Sequence, residues 1–108
     1  MNPNGIRLSP CELAMENVCY AGTPGCSADN RVHGFRPAFL DRDTGRVYPS
    51  AFADGRPAPV HVLDGLPPEL VLARAADGRV SVVTDGVVSG FVRDGRFHTR
   101  EEALAVVA

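Results

Sequence analysis

The chain has 108 residues, 44% of them hydrophobic and 22% charged, with a formal charge of −2. That suits one small domain able to bury its own core, and the slightly acidic balance excludes a general electrostatic pull toward nucleic acid or anionic membranes. No apolar run approaches the roughly 18 residues that span a bilayer, no basic stretch followed by an apolar core opens the chain, and three cysteines, an odd number, fit reduced thiols in the cytoplasm better than a disulfide framework.

Residues 1–34 read as an N-terminal helix and a polar loop. Ser9-Pro10-Cys11-Glu12 is a capping box, in which Ser9 accepts from the backbone of Glu12. Pro10 then occupies the first helical position, where its missing N–H costs nothing. The helix is expected to end near Tyr20, with Leu13, Ala14 and Val18 on its buried face and Cys11 beside them. Ala21-Gly22-Thr23-Pro24-Gly25 stops it, and the turn-rich residues 21–34 read as a surface loop.

Residues 35–108 change character. The runs FRPAFL, RVYPS, APVHVL, ELVLAR, RVSVV, VVSGFV and RFHT are strand-like and are separated by turn signals. Asp-Gly occurs five times, at 54–55, 64–65, 77–78, 85–86 and 94–95, and three of these continue as Asp-Gly-Arg. The pair tolerates left-handed geometry, a strong hairpin signal. Pro37 and Pro49 belong at strand ends, edges or bulges, and Pro57 and Pro59 mark an extended connector. Leu66-Pro67-Pro68-Glu69 reads as a turn, with a short helix from Pro67 as the alternative.

The chain closes with a second capping box, Thr99-Arg100-Glu101-Glu102, and a short helix whose expected buried residues are Leu104 and Val107. The expected fold is therefore α+β: a mostly antiparallel sheet of five or six short strands, with a short helix at each end.

The register of the last hairpin decides what its side chains do. A two-residue Asp94-Gly95 turn sets Arg93 opposite Arg96 and Phe91 opposite His98, gathering all four on one face. A three-residue turn, Arg93-Asp94-Gly95, pairs Phe91 with Phe97 and separates the arginines. The three-residue register is favoured, because an aromatic cross-strand pair stabilises and directly opposed like charges do not. It leaves Arg96 and His98 sharing a face beside Gly90. By the same argument, a turn at Thr84-Asp85-Gly86 pairs Val82 with Val88.

The segments GFRPAFLDRDTGRVYPS, PAPVHVLDGLP and GFVRDGRFHTREEALAV together resemble a group of small bacterial proteins, and the closing pattern is similar to the ends of some small phage-encoded proteins. The resemblance spans roughly residues 34–107. It carries no established activity, so it implies the domain and transfers no catalytic residue.

Candidate chemistry is sparse. Cys11, Cys19, Cys26 and His33 are of the right types for tetrahedral zinc. Cys11 and Cys19, however, lie eight residues apart on one helix, and no two ligands share a tight turn. Cys26 near His33 lacks a group to orient the imidazole. His61, between Val60 and Val62, reads as a partly exposed strand histidine with Asp64 close by. No phosphate loop, dinucleotide fingerprint, EF-hand spacing or serine elbow occurs. No catalytic residue, metal or cofactor is expected. The candidate ligand-binding residues are Arg36, Arg93, Arg96 and His98.

The leading expectation is a non-catalytic module that binds a protein partner or itself. The alternatives are a phosphate- or nucleic-acid-binding protein using Arg96 with Arg36, Arg93 and Arg100, and a metal- or cysteine-dependent enzyme.

Overall fold

The computed structural model describes residues 8–20 and 33–107. Of the expected loop at 21–34, residues 21–32, with Cys26, lie outside the described residues. Helix α1 spans Pro10–Tyr20 and helix α2 spans Arg100–Val107. Between them come β1 (Arg36–Asp41), β2 (Arg46–Pro49), β3 (Val71–Arg74), β4 (Val80–Val83), β5 (Val87–Arg93) and β6 (Arg96–Thr99). The fold is α+β, and every strand pairing is antiparallel.

Both helices start as their capping residues require. The Ser9 hydroxyl accepts from Glu12 N–H at 3.2 Å. At α2 the box is complete, with Glu102 N–H donating to Thr99 Oγ1 at 3.1 Å and Thr99 N–H donating to Glu102 Oε1 at 2.9 Å. Pro37 and Pro49 stand near the start of β1 and at the end of β2, where a missing donor is tolerated. Pro68–Leu70 forms a single 3-10 turn leading into β3.

The strands form a four-stranded sheet in the order β2-β1-β5-β6 and a separate β3-β4 hairpin. One continuous core joins them: Phe39 of β1 and Val87 of β5 pack with Leu8, Leu13, Leu63, Leu66, Leu70, Val80 and Val83. A second cluster, Phe35, Phe91 and Ala103, seats α2.

Several expectations are corrected. β4 and β5 do not pair, so the turn at 84–86 passes the chain between the two sheets. Asp41 of β1 takes the place opposite Val87, and Arg42 N–H donates to Gly86 O at 2.9 Å. The run APVHVL forms no strand: residues 58–62 cross the sheet as a connector, because Pro57 and Pro59 remove donors and His61 turns inward. On α1 only Leu13 is buried, while Ala14 and Cys11 are exposed and Val18 is 78% exposed. The inward face is instead Leu13, Glu16 and Tyr20, spaced i, i+3, i+7. On α2 the buried residues are Arg100 and Ala103, not Leu104; the side chain of Val107 lies outside the described residues.

The last hairpin takes the two-residue register: Arg93 faces Arg96, Val92 faces Phe97, Phe91 faces His98 and Gly90 faces Thr99. Asp94 and Gly95 have φ of 54° and 76°, the left-handed pair of a type I′ turn, whose twist matches that of the strands. The expected Phe91–Phe97 pair is therefore absent. Phe91 finds its aromatic partners at a distance, with Phe35 edge-on at 6.2 Å and His61 at 5.2 Å. Phe97 points to the opposite face and covers Gly90. The Arg93–Arg96 opposition is relieved because the Arg93 guanidinium lies over the Phe35 ring, 4.6 Å from its centre, a contact worth roughly 0.5–2 kcal/mol.

Candidate binding site

The polar residues of the interior form one joint between α1, the sheet, the connector and α2. His61 is 8% exposed and Arg100 3% exposed. His61 Nε2 lies 2.7 Å from Gly90 O, and its Nδ1 lies 3.2 Å from Arg100 Nη2. A guanidinium only donates, so Nδ1 is the acceptor and the ring proton sits on Nε2, facing the carbonyl. Arg100 Nε also reaches Ser89 Oγ at 3.3 Å and Glu16 Oε1 at 3.7 Å, while Ser89 Oγ donates to Glu16 Oε1 at 2.8 Å. Burial, and then the neighbouring Arg100 charge, lower the His61 pKa to about 4. The imidazole is thus neutral at ordinary pH, and both its nitrogens are engaged.

The polar groups of this joint satisfy one another. The Ser89 hydroxyl is directed at Glu16, whose side chain is 36% exposed, and no imidazole nitrogen is available to it as a base. The sequence pointed to His61 but placed it on a strand with partial exposure. It held no signal for Glu16 or Ser89, whose contact spans 73 positions. Arg100, expected beside the helix cap as a possible phosphate-binding cation, is instead 3% exposed and turned into the joint.

All four candidate binding residues fall at one end of the four-stranded sheet. Arg36 opens β1 opposite Val92, and Arg93 closes β5 opposite Arg96, which opens β6. Neighbouring strands lie about 4.8 Å apart, so the three backbones fall within about 10 Å. His98 packs edge-on against Phe35 at 5.4 Å, on the face that also carries Arg93. Arg36 and Arg96 are exposed. No carboxylate among the described residues ion-pairs with Arg36, Arg93 or Arg96.

A cleft of about 310 Å³ opens beside this end, lined by residues 34–37, by Pro49 and Ser50, and by residues 57–59 of the connector. Ser50 ties its two sides together. Its backbone N–H donates to Pro37 O at 2.9 Å and its carbonyl accepts from Ala58 N–H at 3.0 Å. Its hydroxyl donates to Val60 O and accepts from Val62 N–H, each at 2.8 Å. Four prolines stiffen the wall and bring no N–H to it. Arg36 is the charged residue of the lining.

The zinc set is not assembled among the described residues. Cys11 and Cys19 are exposed free thiols on α1, His33 is exposed at the edge of the described chain, and Cys26 lies outside it. No group of three metal-ligating side chains occurs among the described residues, and no helix among them is long and apolar enough to cross a membrane. In comparisons with protein families, curated proteins and solved structures the chain matches none.

Proposed function

We propose that this chain is a non-catalytic protein-interaction module and that the proline-walled cleft is where it receives its partner. The observation that supports this most directly is the cleft itself: a concave, pre-stiffened surface lined by apolar rings and one cation, with no nucleophile and base set side by side in it. A stiff wall loses little conformational freedom on binding. His61 and Ser89 are already engaged with Gly90, Arg100 and Glu16 in the joint. Selection of random linear peptides displayed on phage against the immobilised protein tests the reading. An enriched consensus whose synthetic peptide shifts NMR signals of residues 34–37 and 57–59, and which Pro49→Trp blocks, supports it. Absence of any enriched sequence, or shifts confined to another surface, overturns it.

A second reading, self-association, is favoured by α1. Its outward face carries Cys11, Ala14, Met15, Val18 and Cys19, with Met15 57% exposed. Light scattering over a concentration series distinguishes the two: a dimer dissociated by Val18→Glu favours self-association, and a monomer throughout removes it.

A further inference from the structure

We propose that Asp94-Gly95 is a site of covalent self-modification, where the chain closes a succinimide and reopens it as isoaspartate. The backbone nitrogen of Gly95 attacks Cγ of the protonated Asp94 carboxyl. A C–N bond forms, the nitrogen gives its proton to solvent, and the carboxyl hydroxyl leaves as water. Water then opens the five-membered ring. Breaking the bond from nitrogen to Cγ restores aspartate, whereas breaking the bond from nitrogen to the backbone carbonyl carbon leaves the chain running through Cβ and Cγ. One water leaves and one enters, so no reagent besides solvent takes part. Isoaspartate adds one carbon to the backbone of the turn that sets Arg93 opposite Arg96.

Three of the five Asp-Gly pairs, at 54, 77 and 94, are followed by Arg, so local sequence does not separate them and the fold does. Asp54 Oδ1 accepts from Arg56 N–H at 3.1 Å and its Oδ2 from Arg56 Nε at 2.7 Å, while Gly55 N–H donates to Phe52 O at 2.9 Å. Asp77 Oδ1 accepts from Arg79 N–H at 3.0 Å, and Gly78 N–H donates to Ala75 O at 2.9 Å. At both sites the attacking nitrogen and the carboxylate are held apart by other partners. Asp64 accepts from Val80 N–H and Arg79 Nε, and Gly86 is buried against the Asp41 and Asp43 carboxylates, which leave its peptide no room to turn. At 94–95 both residues are exposed, and nothing lies within 4 Å of where a Cβ of Gly95 would stand. Among the described residues the Asp94 carboxylate has no partner, and the peptide between Asp94 and Gly95 makes no hydrogen bond.

The turn itself favours closure. A planar five-membered ring brings the Gly95 nitrogen into line with Cβ of Asp94. For an L residue that means a ψ of about −120°, the value at the first central position of a type II′ turn. Asp94, with φ of 54°, already has the φ of that position. Passage from type I′ to type II′ is a flip of the one unbonded peptide, and Gly95 accepts the change in sign of its own φ without a steric penalty. The flanking strands need not move.

The test is ageing of the full chain at pH 7.5 and 37 °C, followed by digestion with endoproteinase Asp-N, which cuts before aspartate and not before isoaspartate. Mass spectrometry then reads the uncut fragments 43–63, 64–84 and 85–108, which span Asp54, Asp77 and Asp94. The uncut 85–108 fragment should accumulate at least five times faster than either of the others. Ageing in concentrated urea should bring the three sites to similar rates, because their dipeptides and following residues are the same. Equal rates at the three sites in the folded chain, no accumulation at Asp94, or an undiminished preference for Asp94 in urea overturns the proposal.

Discussion

Gly90 holds a position that no other residue fits. A Cβ there would run into the backbone carbonyl of His98 and the ring of Phe97, which crosses from the neighbouring strand to cover the bare glycine. The fault is backbone contact, so rotamer changes cannot relieve it. Gly90→Ala is therefore expected to cost in the overpacking range, roughly 1–3 kcal/mol, read as a lowered urea midpoint. At the opposite extreme of exposure, Cys11 and Cys19 stand free on α1. Both should react with a thiol reagent such as DTNB in the native protein without denaturant, and protection of both until unfolding would show the outer face of α1 to be covered.

Helix α2 illustrates how an element too short to persist alone is held. It has eight residues, below the length at which isolated helices are stable. Its capping box supplies about 1 kcal/mol, so Thr99→Ala should lower stability by that order. Docking depends on Ala103, small enough to let the helix approach Phe91, and on Arg100 in the buried joint. That joint makes stability depend on pH. His61 titrates near 4 in the folded chain against 6.5 as the ordinary value, so between those values the unfolded chain binds a proton that the folded chain refuses. Stability is fully present above pH 6.5 and falls as pH drops from 6.5 toward 4, by about 3 kcal/mol on the scale of 1.36 kcal/mol per pH unit. Urea titrations at pH 7.5 and 4.5 check this: His61→Gln, which cannot protonate, should show a clearly smaller loss. Arg100→Gln removes a charge that lowers the His61 pKa, so the NMR titration of that ring should move upward, toward its usual value.

At the scale of the molecule, the two sheets share one interior. Phe39 leaves β1 to meet the side chains of the β3-β4 hairpin and of the segments around it, so the pieces should unfold together. Phe39→Ala is expected to cost about 3–5 kcal/mol, a large part of the roughly 5–15 kcal/mol available to a domain. Circular dichroism and tyrosine fluorescence should report coincident transitions in the wild type. Two separated transitions would show that the hairpin and the four-stranded sheet are independent. The arginine-bearing end is likewise a property of the whole sheet, since Arg36 comes to the end that carries Arg93 and Arg96, on the opposite face, only because β1 pairs with β5.

The sequence by itself determined the local elements. Capping boxes at Ser9 and Thr99, strand-like runs and Asp-Gly turns placed both helices and the six strands, with APVHVL a seventh run that forms none, because caps and turns are contacts among residues a few positions apart. The three Asp-Gly-Arg turns are those whose glycines, Gly55, Gly78 and Gly95, take left-handed φ. Tertiary structure decided the rest. Whether β4 meets β5, which way His61 turns, which face of α1 is buried and which register the last hairpin keeps are set by partners far along the chain. Pairwise reasoning within the hairpin favoured joining Phe91 to Phe97. Phe35, more than fifty positions earlier, supplies that aromatic contact instead and takes the Arg93 charge onto its ring, so the tighter turn carries no penalty that a three-residue loop would need to avoid. The same long-range pairing brings Arg36, Arg93 and Arg96 to one end of the sheet, with Arg36 alone in the cleft lining and on the opposite face from the other two.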